Sequence, residues 1–237
     1  MTQNRLRARK TPATTTRRAF LAGAATVALA SMAGATVPPP AAPRIVVFGD
    51  SLTEGYGLDP EQALVAQLQG WLDTRDLPAV MVNQGLSGDT TFGGRVRIHW
   101  ALRHGADAVI VELGGNDFLA GLALSDTEKN LDSIIIRAKR GNRPVLLVGI
   151  VPPQRAMQAA REDVIAMWAR LAERHQVLLL PDLYGPLWQF PESEWPRFLQ
   201  KDHTHLSPEG VRLVVESDLG PKTAELLARI AQAGSNP

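Results

Sequence analysis

From residue 44 to residue 232, short and nearly unbroken apolar runs alternate with longer stretches of helical period. The runs lie at 45–48, 80–82, 108–111, 145–148 and 177–180, and are β-branched or leucine-rich. They lack the polar alternation of a half-exposed strand, which predicts strands buried on both faces. Between them, Asp59-Pro60-Glu61-Gln62 offers an N-cap, a proline at the first helical position and a glutamine at the third. Ser125-Asp126-Thr127-Glu128 has the form of a capping box, and Gly141 suits that helix's C-terminal stop. Further helices are expected over 92–104, 155–175 and 208–231. Strands alternating with helices on short links predict an α/β fold, a parallel sheet with helices on both sides. In such sheets chemistry gathers beyond the carboxyl ends of the strands.

Four segments beyond those ends carry candidate chemistry. After the first run comes Gly49-Asp50-Ser51-Leu52. A serine at a strand-to-helix turn suits a nucleophile, and equally suits a helix cap. After the second, Gly88 stands in Ser87-Gly88-Asp89, where a glycine lets backbone approach a ligand closely or simply closes a turn. After the third, Gly114-Gly115-Asn116-Asp117 presents an amide donor of the kind an oxyanion needs, or an ordinary loop. After the fifth, Asp202-His203-Thr204-His205 precedes the helix start Ser207-Pro208. A spacing of three lets Asp202 reach the Nδ1 of His205 and leave Nε2 free as a base. A metal site from His203, His205 and Asp202 is the rival, but no other His or carboxylate cluster completes a shell.

Taken together, GDSLTEGYG at 49–57, NQGLSGDTT at 83–91, ELGGND at 112–117 and DHTH at 202–205 resemble the four blocks of the SGNH (GDSL) hydrolases. The likeness spans nearly the whole chain beyond the leader, and LSGDTT and VELGGND resemble the exported bacterial thioesterase, lysophospholipase and arylesterase group of that family. The resemblance implies a three-layer, flavodoxin-like sandwich on a five-stranded parallel sheet of order 2-1-3-4-5. It implies Ser51 as nucleophile, His205 and Asp202 as base and orienter, and Ser51, Gly88 and Asn116 as oxyanion donors. It implies a serine esterase acting on short to medium acyl and aryl esters, with acyl thioesters and lysophospholipids as further substrates. A carbohydrate O-acetylesterase of the same family, or a noncatalytic flavodoxin-like binding module, would be the alternatives. No G-x-S-x-G elbow, P-loop, dinucleotide fingerprint or H-E-x-x-H helix occurs, and the sequence calls for no cofactor or metal.

Two stretches bear on substrate choice. Phe118, Leu119 and Leu122 follow Asn116 directly, in the region that borders the acyl pocket of similar thioesterases. Tyr184, Trp188, Phe190, Trp195 and Phe198 cluster ahead of the DHTH segment, with Pro186, Pro191 and Pro196 between them. The prolines forbid a regular helix. Trp188 and Trp195 are expected either on a semi-rigid flap at the site mouth or as anchors of a buried loop.

Composition sharpens the setting. The chain has 237 residues and no cysteine, so disulfides, thiolate metal sites, a cysteine nucleophile and a lipoprotein anchor are out. The near balance of 25 basic and 24 acidic residues hides an uneven distribution. Residues 1–35 hold six basic residues and no acidic ones, so the rest carries 19 basic against 24 acidic, a net charge of −5. An acidic body is poor material for nucleic-acid binding. Thr16-Arg17-Arg18-Ala19-Phe20-Leu21 resembles a twin-arginine export signal, and Ala33-Gly34-Ala35 a signal-peptidase site. The uncharged stretch between is shorter than the roughly 20 residues of a spanning helix, though a basic tail or membrane anchor is the alternative. The expected organisation is a signal peptide at 1–35, a Pro-rich linker at 36–43, the hydrolase domain at 44–232 and a tail at 233–237. The mature protein would be a periplasmic or secreted bacterial enzyme with no membrane span, meeting a small acyl ester or lipid.

Overall fold

The five apolar runs form five parallel strands: β1 (Arg44–Gly49), β2 (Val80–Gly85), β3 (Ala108–Glu112), β4 (Val145–Val148) and β5 (Leu178–Leu180). Their order is β2-β1-β3-β4-β5, as expected. The computed structural model describes residues 41–151 and 161–234. The expected signal peptide, most of the expected linker, the start of the helix expected from 155 and the last three residues lie outside the described residues.

Alternate strand positions feed two cores. Ile45, Val47, Ala108, Ile110, Leu146 and Val148 point to one side. There they meet α2 (Leu64–Asp73), α8 (Pro208–Val214) and α9 (Gly220–Gly234). Val46, Phe48, Val109, Val111, Val145 and Leu147 point to the other. There they meet α3 (Thr91–Ala101), α5 (Leu124–Ala138) and α6 (Arg161–His175). This three-layer arrangement buries β1, β3 and β4 on both faces, as their unbroken apolar sequence predicts. β2 departs from that expectation. It is an edge strand, its residues half-exposed or exposed.

The local starts and stops differ in instructive ways. Asp59 makes no side-chain cap, and Pro60–Gln62 forms a 3₁₀ turn before α2 begins at Leu64. The capping box at Ser125 does not form, because α5 starts two residues earlier, at Leu124, with Ala123 as its N-cap. The helix expected over 208–231 is interrupted by a π turn at Val215–Leu219. Pro221 supplies the reason: it has no N–H, and its ring would press on the carbonyl four residues back. Gly220 sits at that point because a Cβ there would come within 2.5 Å of the Trp71 ring. Three short helices escaped the periodicity reading, α1 (Ser51–Glu54), α4 (Gly115–Leu119) and α7 (Trp195–Phe198). Two of them open at the candidate residues.

Candidate active site

Strand register sets the floor of the site. Gly85, Gly49, Glu112, Val148 and Leu180 lie side by side across the sheet, so the next residue on each strand emerges at one level. After Gly49 the chain turns at Asp50 into α1, with Asp50 Oδ1 accepting the Leu52 N–H at 3.1 Å. The helix ends after one turn at Gly55, whose φ of +96° is left-handed. Gly85 admits α1 closely: a Cβ there would lie 2.2 Å from the Glu54 nitrogen.

The second wall is a turn held by its own backbone. Leu199 and Leu206 form an isolated antiparallel bridge. Between them the Gln200 N–H donates to His205 O at 2.8 Å, and the His203 N–H to Gln200 O at 2.9 Å. His203 takes a left-handed φ of +56°, and its imidazole has no part in the contacts described below. Two side chains anchor the turn. The buried Tyr184 hydroxyl donates to Thr204 O at 2.7 Å, and Gln200 Nε2 donates to Tyr56 O at 2.8 Å. Ser207 then caps α8, accepting the Gly210 N–H at 3.1 Å.

These elements bring Ser51 to His205 across 154 positions of sequence, and His205 to Asp202 across three. His205 Nε2 lies 2.7 Å from Ser51 Oγ, and His205 Nδ1 lies 2.6 Å from Asp202 Oδ2. Asp202 Oδ1 accepts the backbone N–H groups of Thr204 and His205, each at 3.0 Å. Partial burial would raise the Asp202 carboxyl, but the imidazole bond and these two N–H bonds outweigh it and hold the carboxyl below its usual range. The His205 ring also rests on Tyr56, centroids 4.7 Å apart.

Gly88 and Asn116 close the opposite side. Gly88 has a left-handed φ of +77°, and its neighbour Ser87 is tethered through its N–H and hydroxyl to the Glu54 carboxylate. Asn116, in the first turn of α4, donates from Nδ2 to Asp89 O at 2.9 Å and to Asp50 Oδ2 at 3.2 Å. α4 itself is fixed by Asp117, which accepts the Thr91 N–H at 2.8 Å and the Thr91 hydroxyl at 2.5 Å. Ser51, Gly88, Asn116 and His205 border one cavity of about 250 Å³, whose apolar walls are Leu52, Tyr56, Leu119, Ile150 and Tyr184.

Beneath Ser51 lies a pair of buried carboxyls. Burial pushes Asp50 up to about 6, and the charges of Asp89 and Asp117 add to that, while the Leu52 N–H and His205 oppose it. Glu112 is fully buried at the end of β3 and is raised well above the usual range, first by burial and then by Asp50. It accepts the Thr53 hydroxyl at 2.6 Å on Oε2, while Oε1 has no partner among the described residues. Arg97 braces the same floor, donating to Asp89 at 2.6 Å, Gln84 O at 2.9 Å and Gly49 O at 2.7 Å. Sequence reading assigned no role to Glu112, Thr53, Arg97 or Gln200, and named Tyr184 only as one of the aromatics ahead of the DHTH segment, without its bond to Thr204 O. A glutamate closing an otherwise apolar strand was the available signal for Glu112. The others contact the site across long sequence separations and leave no local pattern.

The residues singled out for substrate contact divide. Leu119 borders the cavity. Phe118 instead packs edge-on against Trp168 in the core, and Leu122 is exposed off the cavity wall. Trp188 and Trp195 pack edge-to-face, centroids 4.8 Å apart, against the hydrophobic core. Their ring N–H groups are engaged by Asp182 at 2.7 Å and Phe190 O at 3.1 Å. With ring faces and N–H groups both satisfied, these tryptophans anchor their loop rather than line the cavity.

Comparison with known proteins agrees with this geometry. A model of the GDSL-like lipase/acylhydrolase family matches residues 47–213. Esterase TesA of Pseudomonas aeruginosa is 35% identical over 142 residues, covering 60% of this chain and 71% of that protein. The Escherichia coli protein named thioesterase 1/protease 1/lysophospholipase L1 is 32% identical over 166 residues, covering 70% and 76%. The crystal structure of AlinE4, titled an SGNH-hydrolase family esterase, superposes with a TM-score of 0.62 at 32% identity, over 83% of this chain and 97% of that one. With its four sequence blocks gathered at one sheet end and the family pattern running through most of its length, the chain belongs to the GDSL-like lipase/acylhydrolase family.

Proposed function

We infer that the protein is a serine esterase working through an acyl-enzyme. The observation that carries this is the unbroken chain of contacts from Ser51 Oγ through His205 to Asp202, at 2.7 and 2.6 Å, on the rim of the cavity. His205 Nε2 takes the Ser51 proton as Oγ attacks the ester carbonyl. Asp202 holds the imidazole in the tautomer that leaves Nε2 free and stabilises the cation that forms. The Ser51 and Gly88 N–H groups and the Asn116 amide receive the oxyanion. Both Asn116 amide hydrogens have partners at rest, so the oxyanion competes for the longer bond, the one to Asp50. The alkoxide leaves with the proton from His205, and water repeats the sequence on the acyl-enzyme.

Substrate class follows from size and lining. A cavity of about 250 Å³ is below the roughly 300–1,000 Å³ of pockets for drug-sized ligands. Its walls are leucine, isoleucine and tyrosine, which favour short to medium acyl or aryl groups over a glycan. Acyl thioesters and lysophospholipids present the same carbonyl and are the next substrates to test. We also infer that residues 1–35 export the protein and are removed, leaving a periplasmic or secreted enzyme; N-terminal sequencing that finds the leader intact refutes this. An organophosphonate should label Ser51 stoichiometrically in the parent protein and not in His205→Ala. A panel of p-nitrophenyl esters from acetyl to palmitoyl should peak at short or medium chains. Labelling that survives His205→Ala would overturn the mechanism, and a peak at palmitoyl the substrate reading.

A further inference from the structure

α3 is the helix whose outer face the fold leaves unexplained. Its inner side, Thr91, Gly94, Ile98 and Ala101, is buried. Its outer side carries Phe92, Val96 and Trp100, which are 57%, 58% and 60% exposed. They recur at i, i+4 and i+8 and so form one stripe about 12 Å long. Scattered exposed apolar residues need no explanation, but a contiguous stripe marks an interaction surface.

A second stripe, Arg95, His99 and Arg103, runs alongside at the same spacing. No acidic residue occurs between Thr90 and Ala106. The side of α5 that bonds to α3 presents Asn130, Ser133 and Arg137, and the α5 acids Asp126, Glu128 and Asp132 bond instead to Lys129, Arg170 and Arg174. On α6 the arginines are matched, with Arg170 and Arg174 bonded to Glu128 and Asp132. Arg95 and Arg103 have no carboxylate partner among the described residues. Arg95 lies over the Phe92 ring, 5.1 Å from its centroid, and Arg103 donates to Trp100 O at 3.0 Å. The guanidinium groups therefore flank the apolar stripe and remain available to an external anion.

The stripe leads to the cavity. Exposed Leu86 adjoins Ser87 and Gly88 on the cavity rim. The Thr91 bonds to Asp117 start α3 and α4 side by side, and α4 ends at Leu119, which is exposed and also lines the cavity.

We propose that this face docks the protein on an anionic phospholipid surface. Phe92, Val96 and Trp100 enter the boundary between headgroups and acyl chains, and Arg95 and Arg103 meet lipid phosphates. An aromatic stripe beside unmatched arginines fits that boundary, where one side is apolar and the other anionic. A second copy fits poorly, since a two-fold contact would set the same arginines against each other. The inference does not depend on the chemistry assigned to Ser51, because docking is read without turnover.

Vesicle cosedimentation and Trp fluorescence at neutral pH test it on the full chain. Wild type should bind phosphatidylglycerol vesicles at least about tenfold more tightly than phosphatidylcholine vesicles, with a blue shift in emission. Val96→Ser/Trp100→Ser should weaken binding to phosphatidylglycerol by about tenfold or more. Arg95→Gln/Arg103→Gln should lose roughly fivefold per arginine on phosphatidylglycerol and keep its phosphatidylcholine affinity. Both variants should hydrolyse soluble p-nitrophenyl acetate at the wild-type rate, a check that they are folded. Residues 1–35 are common to every variant, so the differences read the α3 face alone. Equal vesicle binding by wild type and both variants overturns the proposal. So does a wild-type dimer that Val96→Ser/Trp100→Ser makes monomeric without changing vesicle binding.

Discussion

Asp50 is where stability and chemistry pull in opposite directions, and Asp50→Asn separates them. The carboxyl is 2% exposed and is raised from 3.8 to about 6, mainly by burial. A raised carboxyl destabilises the fold in its charged form. That cost is absent below the unfolded value of 3.8, grows between 3.8 and about 6, and is full above it. At 1.36 kcal/mol per unit, a shift of this size corresponds to about 3 kcal/mol at neutral pH. Asparagine removes the charge and still caps α1, since it serves as well as aspartate at an N-cap. It also sets an amide NH₂ against Asn116 Nδ2, donor facing donor across 3.2 Å. An unpaired buried donor costs about 1–3 kcal/mol, and displacement of the Asn116 amide should lower kcat roughly 5- to 150-fold. The variant should therefore melt at the same or a higher temperature than wild type at neutral pH while hydrolysing p-nitrophenyl butyrate much more slowly. Its advantage in melting temperature should shrink as pH falls through 6 towards 3.8, where wild-type Asp50 also becomes neutral. Calorimetry at two pH values and a kcat profile from about pH 5 to about pH 9 measure both effects. Wild-type kcat in the variant, or a melting difference that ignores pH, would refute the reasoning.

Three further substitutions address separate parts of the site. Asn116→Ala should lower kcat by about 10²–10³ with little change in KM, the usual loss for one oxyanion donor; a drop under threefold removes Asn116 from that role. Tyr184→Phe deletes the 2.7 Å bond to Thr204 O. It should cost about 1 kcal/mol, read as roughly 2–4 °C in Tm, with a several-fold fall in kcat as the His205 turn loosens; unchanged values would show that the turn holds itself. Gly85→Ala places a methyl within 2.2 Å of the Glu54 nitrogen and 2.8 Å of Asp50 O. Both atoms are backbone, so α1 must move, at about 1–3 kcal/mol. The activity loss should exceed what the melting shift explains, because Ser51 moves with the helix; wild-type kcat would contradict that close packing.

What the sequence disclosed follows from the range of the physics involved. Strands buried on both faces have nearly uninterrupted apolar sequence, so β1, β3 and β4 were readable, and the chemistry beyond their ends with them. Ser51, Gly88, Asn116, Asp202 and His205 fall on local turn motifs, which is why the sequence singles them out. Edge strand β2 was misjudged because a run of three apolar residues does not reveal which face meets water. The capping box at Ser125 and the cap at Asp59 failed because tertiary packing, not local preference, chose the first turn of each helix. Trp188 and Trp195 have the composition of a flap, but packing against the core half-buries them, and Asp182 takes the Trp188 N–H. Glu112 and Thr53 are joined across 59 residues of sequence, a distance over which no periodicity speaks.

The two carboxyls on either side of the Ser51–His205 contact carry opposite pH signs, and that opposition limits where the site can work. Asp202 is held below its usual value, so its contribution to the fold is present above the unfolded value and lost as pH falls through the lowered one. Asp50 is held up near 6, so it is neutral well before Asp202 begins to take a proton. Acidification therefore reaches the oxyanion side first. A neutral Asp50 accepts more weakly from Asn116, while the bond from Asp202 to His205 still stands. Replacing either carboxylate alone leaves the other limb of the pH response in place, so the acid side of the kcat profile should change shape in Asp50→Asn while the loss of stability as Asp202 takes its proton remains. An acid limb of kcat in Asp50→Asn that keeps the wild-type shape would show that the division of labour between the two carboxyls is wrong.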